Sequence, residues 1–305
     1  MKVMQRCAAF IAFALTALCA TSASTAETGS VLRVTYAGSM GVVMDGAIGP
    51  TFARAHGITY QGIGQGSYAL AHLLAAHQLQ ADVFVTITPG PMQVLKQAGL
   101  VNRAVPIAGT QMVVAYSPHS RFAADLAAAA RGEKPWYDVL SEPGLRLGRT
   151  DPAIDPQGAN VLLTLQLAAD YYHRPGMMQT ISGAPQNSAQ IFTEPSLMSR
   201  LEAGQIDAAI SYLSAAQSHH LPTITLPDAI NLGDPAMQAP WYDRASITLD
   251  NGKTLRVQPL VFYAAVLSNA QQPALARDFV TFLQSPEGQA LLREHGYSPA
   301  RGTDL

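Results

Sequence analysis

Gly148-Arg149-Thr150-Asp151-Pro152-Ala153-Ile154-Asp155-Pro156-Gln157-Gly158 decides how this chain is read. An apolar segment, Val139 to Leu147, runs into it, and a helical pattern, Ala159 to Tyr172, runs out of it. The two Asp-Pro pairs make a stiff, turning loop, because proline fixes its own φ and pushes the preceding residue out of the α region. Gly158 lets the backbone enter the next helix closely. A strand, a tight loop and a helix N-terminus together form a ready anion site, since the first N–H groups of a helix have no internal partner. Asp155 is out of place there. A carboxylate repels a simple anion, but it can bind a metal centre within one. The competing reading has both aspartates only capping turns and helices.

Upstream of this loop the chain alternates strand and helix. Val31 to Tyr36 reads as a buried strand leading into Ala37-Gly38-Ser39-Met40-Gly41, then a helix to Ala55 closed by Gly57. Ile58 to Gln61 reads as a second strand, followed by the glycine-rich Gly62-Ile63-Gly64-Gln65-Gly66-Ser67 and a helix from Tyr68 to His77. Ala81 to Ile87 is a third strand, with a helix from Pro89 to Ala98. This β-α-β-α-β order predicts an α/β fold with mixed, mostly parallel sheets and flanking helices. Two strand-to-helix junctions carry Gly-Ser, at Gly38-Ser39 and Gly66-Ser67. Ligands of open α/β sheets bind at such carboxyl ends, where a serine offers a hydroxyl and an N–H to an oxyanion. The alternative is that both serines are ordinary N-caps. Neither junction matches a Walker loop or a dinucleotide fingerprint.

Downstream, Gln111 to Tyr116 reads as a strand crossing into a second lobe, and Phe122 to Arg131 as a helix. Ile191-Phe192 is a short extended piece. A helix follows from Thr193-Glu194-Pro195 to Glu202, and a strand runs from Ile206 to Tyr212. Ala245 to Val257 reads as a hairpin through Asp250-Asn251-Gly252. Leu260 to Leu267 is a buried strand, and Pro273 to Leu283 and Pro286 to Glu294 are closing helices.

Lys2 and Arg6, an apolar run from Cys7 to Ala20, and the small residues Ser24-Thr25-Ala26 read as a removed signal peptide over residues 1–26. That run is too short for a comfortable membrane span. Both cysteines of the chain lie within it, so no thiol or disulfide is expected in the mature protein. Without Lys2 and Arg6, 17 of the 19 basic residues face 21 acidic ones. The absence of a basic block argues against nucleic acid and against an anionic membrane surface. With 13% charged and 48% apolar residues the chain suits a well-buried globule. No nucleophile elbow, zinc-protease helix or paired-histidine helix is present, so no catalytic residue and no cofactor is expected.

Taken together, these residues resemble the periplasmic molybdate/tungstate-binding proteins of ABC importers, the archaeal-type branch above all. The likeness is most specific at Gly148 to Gly158, at Leu201-Glu202-Ala203-Gly204-Gln205-Ile206-Asp207 with Tyr212-Leu213-Ser214-Ala215-Ala216, and at Leu226-Pro227-Asp228-Ala229-Ile230-Asn231-Leu232. It implies a type 2 periplasmic binding protein, a monomer of two lobes closing by a hinge, with lobe 1 from 30–109 and 266–305 and lobe 2 from 110–265. It implies a non-enzymatic receptor that hands molybdate or tungstate to a permease in the inner membrane. By the same resemblance Ser39 and Ser67, with Gly38 and Gly66, hold oxyanion oxygens from the first lobe. Asp155 with the Gln157 amide, the backbone near Glu194, and the Tyr212 hydroxyl hold it from the second. Asp155 also reaches the metal of the oxyanion. The branch has a second carboxylate just before the tyrosine. Here that position is Ser211, which implies a five-coordinate or distorted centre. The alternatives are a receptor for another oxyanion or a small organic acid, or a secreted enzyme on the same scaffold.

Overall fold

The computed structural model describes residues 30–305. The expected signal peptide therefore lies outside the described residues. Among the described residues eleven strands run in chain order: β1 Val31–Ala37, β2 Thr59–Gln65, β3 Val83–Ile87, β4 Val105–Gly109, β5 Met112–Tyr116, β6 Leu147–Gly148, β7 Ala208–Tyr212, β8 Thr223–Thr225, β9 Ser246–Thr248, β10 Thr254–Arg256 and β11 Val261–Val266. They form a five-stranded sheet of order β2-β1-β3-β11-β4, a four-stranded sheet of order β6-β7-β5-β8, and the hairpin β9-β10. The β-α-β-α-β reading holds for β1, β2 and β3, which pair in parallel. β11 runs antiparallel between β3 and β4, and β5 antiparallel to β7 and β8. The central strands β3, β5 and β7 are buried along their whole length, as strands covered on both faces must be.

Several local readings change. β2 runs on through Gly62-Ile63-Gly64-Gln65, the stretch expected to be a loop. The reason is its neighbour. A methyl group on Gly62 would lie 2.8 Å from the Tyr36 hydroxyl, and one on Gly64 2.6 Å from the Tyr36 ring, so these glycines make room for a buried tyrosine across the pair β1-β2. Trp136–Leu140 is a helix, so only Leu147 and Gly148 are strand before the central loop. β4 and the short helices Met177–Ser182 and Leu213–Ser218 were not foreseen. The helix expected from Gly41 to Ala55 is broken by a wider π turn at Met44–Ile48, and Gly57 ends it at φ 62°.

The chain passes between the two sheets twice, at 109–112 and at 225–261. These passages are stitched side by side. Thr110 N–H donates to Leu260 O (3.1 Å), Met112 N–H to Asn231 O (2.7 Å) and Leu260 N–H to Leu232 O (3.1 Å). Sheet membership puts 261–266 with the first sheet, and the lobe limit expected at 266 falls at the end of that strand.

Candidate functional site

The candidate site lies where helix N-termini from both sheets meet. From the first sheet come the turn Gly38–Met40 after β1 and the helix Ser67–Ala75 after β2. From the second come the helices Pro156–Tyr171 and Glu194–Glu202, and the end of β7 at Tyr212. The first N–H groups of a helix have no intrahelical partner, so helix ends gathered here favour negative charge.

Ser39 and Ser67 are not the caps of their helices. The cap positions are Ala37 and Gly66, and no side chain caps either end. Both serine hydroxyls are buried and without a protein partner. A buried hydroxyl left unsatisfied is costly, which marks a place where a ligand supplies the partner. The two glycines permit close approach across the sheets. A methyl on Gly38 would sit 3.0 Å from Glu194 Oε2, and one on Gly66 3.3 Å from Asp155 Oδ2.

Asp155 plays both of the roles weighed from the sequence. Its Oδ1 caps the Pro156–Tyr171 helix by accepting from Gln157 N–H at 2.9 Å, while Oδ2 faces Gly66. Burial pushes its carboxyl up to about 6, against the hydrogen bond from the Gln157 N–H. Gly158 is obligatory in this loop, because any side chain there would collide with the Thr150 carbonyl. Asp151 is a turn residue, accepting from Ala153 N–H at 2.9 Å.

Glu194 opens its helix and is 5% exposed. Its Oε1 has no partner. Burial, with the Asp155 charge added, raises its carboxyl well above the carboxylate range, against the Ser39 N–H. Tyr212 is buried, and its hydroxyl accepts from Asn160 Nδ2 at 3.1 Å, leaving its own proton for another acceptor. Burial raises the Tyr212 phenol well above its ordinary value, and Asp155 and then Glu194 add to this. One cavity, about 610 Å³, is lined by Gly66, Thr150, Asp155, Thr193 and Glu194 with apolar walls that include Ile191 and Phe192. A second, about 260 Å³, meets Gly38, Ser39 and the other side of Glu194. Among the described residues, no lysine or arginine lines either one.

Two expected contacts are not brought in. The Gln157 main-chain N–H is taken by Asp155. Its side chain accepts from Thr150 N–H (2.9 Å) and Oγ1 (2.7 Å) and donates to Ile210 O (2.7 Å), so it braces the loop from below. The Ser211 hydroxyl turns to Met198 Sδ at 4.0 Å, under the Glu194–Glu202 helix. Sequence reading missed Tyr297, whose hydroxyl donates to Ser39 O at 3.0 Å and whose phenol is raised by burial and by Glu194. Nothing local signals it, since 258 residues separate the pair. It gave Asn160 no role. A polar residue buried one turn into an apolar helix was the available signal.

Comparison with known proteins finds relatives and structural neighbours. A molybdate/tungstate-binding protein of Thermococcus kodakarensis is 27% identical over 299 residues, covering 90% of this chain and 83% of the relative. A putative ABC transporter molybdenum-binding protein of Haloferax volcanii is 34% identical over 203 residues, 65% of this chain and 61% of that one. Among solved structures, the periplasmic molybdate-binding protein of Azotobacter vinelandii superposes with a TM-score of 0.62 at 15% identity, over 88% of this chain and all of that one, which shows a shared fold. The profile described as bacterial extracellular solute-binding protein matches residues 32–298, nearly the whole described chain. The chain belongs to that family of bacterial extracellular solute-binding proteins.

Proposed function

We propose that this protein is a receptor for molybdate or tungstate, which it encloses between two lobes and hands to an ABC permease. The observation that carries the reading is the set of buried, unpartnered groups from both sheets: the Ser39 and Ser67 hydroxyls and Glu194 Oε1. Neutral hydroxyls and helix N-termini stabilise an oxyanion by local dipoles, with no net positive charge needed. Asp155 makes the choice among oxyanions. It repels sulfate, whose sulfur accepts no further oxygen, and it can add to molybdenum or tungsten. The names of the Thermococcus and Haloferax relatives support this ligand class.

The rest of the reading follows. The lobes are 30–109 with the C-terminal segment, and the intervening chain, closing about the stitched passages as a hinge. The protein is exported by its first 26 residues, works as a periplasmic monomer, and performs no chemistry. Calorimetry with molybdate, tungstate, sulfate and phosphate tests the proposal. Micromolar or tighter binding of the first two with none of sulfate is expected. Silence for all four removes the reading. The cavity of about 610 Å³ is roomier than one tetrahedral oxyanion requires, which favours a small organic acid as the second reading.

A further inference from the structure

We propose that Lys253 is a positioning residue for ligand capture: its ammonium ties the central loop beside Asp155 to the Tyr68 ring beside Ser67, and so holds the two walls of the site together once they have closed. This rests on the receptor reading and goes beyond it. Lys253 stands at the turn of the hairpin β9-β10. Gly252 precedes it in the left-handed region at φ 81°. Asn251 Oδ1 accepts from the Lys253 N–H at 3.0 Å, and the Lys253 carbonyl accepts from Leu249 N–H at 2.9 Å. A turn bonded in this way fixes where the side chain leaves the backbone. The hairpin strands alternate exposed and buried positions, and the buried Ile247 and Leu255 pack onto the helix Pro156–Tyr171. The hairpin is thus anchored to the side of the site that belongs to the second sheet.

From that anchor Lys253 Nζ reaches two groups. It donates to Ala153 O at 3.1 Å, in the loop just before Asp155, and it sits 4.1 Å from the centroid of the Tyr68 ring. Tyr68 directly follows Ser67 on the helix Ser67–Ala75, which belongs to the first sheet. The ring is seated there by Gly90, where a methyl group would collide with the Tyr68 hydroxyl. Lys253 is half-buried and makes no ion pair among the described residues. Burial holds its ammonium below the ordinary value. An ammonium drawn partly out of water without a carboxylate needs other partners, and a carbonyl dipole and a ring face supply them. One partner stands on each side of the site, so the full set of contacts exists only while the two walls are together.

The test is the rate at which bound radiolabelled tungstate leaves when chased with excess unlabelled tungstate. Lys253→Met keeps the stem and removes the charge, and Tyr68→Leu removes the ring face. Each should release tungstate about 3–30-fold faster, the worth of one cation–π contact. Lys253→Arg and Tyr68→Phe keep the charge and the ring, and should release it near the wild-type rate. The double variant Lys253→Met/Tyr68→Leu should release it no faster than Lys253→Met alone, because the two groups share one contact. Unliganded variants should melt like the wild type. Unchanged release in both single variants, or additive effects in the double one, overturns the inference and leaves the receptor reading standing. So does a lower melting temperature of unliganded Lys253→Met with unchanged release, which makes Lys253 a brace for the central loop alone. If Lys253→Met does not fold, Tyr68→Leu against Tyr68→Phe decides by the same rates. A wild type that binds neither molybdate nor tungstate removes the receptor reading and this inference together.

Discussion

Asp155 combines two duties that substitution can separate. One carboxylate oxygen caps a helix and the other faces the opposite sheet across Gly66. Asp155→Ala should lose both the cap, about 1 kcal/mol of stability, and tungstate affinity, on the order of 1.5–3 kcal/mol. Asp155→Ser keeps a capping oxygen, so it should melt like the wild type while binding tungstate as poorly as the alanine variant and tolerating sulfate. If calorimetry finds affinity and sulfate rejection unchanged in both, Asp155 is a cap and nothing more. A different aspartate governs acid stability. Asp207 is buried, which alone would raise its carboxyl. Hydrogen bonds from the Arg146 guanidinium and N–H, and from Ser120, outweigh burial and hold it below the ordinary value. A depressed carboxyl stabilises the fold above the ordinary carboxylate range and loses that contribution as pH falls through its folded value. Asp207→Asn should therefore cost on the order of 2 kcal/mol near neutrality, and the difference should shrink as pH falls below the ordinary carboxylate range. Melting curves taken down the pH scale should converge with those of the wild type. At this scale the central loop was legible in the sequence, because proline and glycine constrain their own backbone. Gly62 and Gly64 were misread because what demands them is the Tyr36 ring on another strand.

At the scale of elements, the motif Leu226 to Leu232 gains its meaning from the passages between the sheets. Asn231 Nδ2 donates to Leu226 O (3.2 Å) and Asp228 Oδ1 (3.0 Å), and its Oδ1 accepts from Gly233 N–H (2.9 Å). Its carbonyl meanwhile accepts from Met112, on the other passage. Leu232 follows in the left-handed region at φ 60°, a conformation a branched side chain resists. Asn231 thus pins a strained turn at the joint. Asn231→Ala should lower the melting temperature and loosen closure. Small-angle scattering of the tungstate-bound variant should show a larger radius of gyration than the bound wild type. Equal radii would assign Asn231 to local folding only. The helices around the site were legible where their starts carry Asp-Pro or Thr-Glu-Pro. The helices at 177–182 and 213–218 were not, because they are too short for a hydrophobic period to emerge.

For the whole molecule, alternating strands and helices announced an α/β fold, but the order within each sheet depends on pairings made far apart in the chain. Tyr297 reaching Ser39 and β11 entering the first sheet are the two cases that no local pattern reveals. β11 carries one further consequence. It sits between β3 and β4, yet the ribosome makes it after every other strand of the molecule. The second sheet draws only on 112–225 and has all its strands long before then. Until residue 266 exists, β3 keeps a bare edge and β4 has no strand to pair with in its sheet. The order of synthesis therefore postpones the last stitch of the first sheet until most of the chain has been made, and the second sheet can be complete while the first still lacks the strand that joins its two parts.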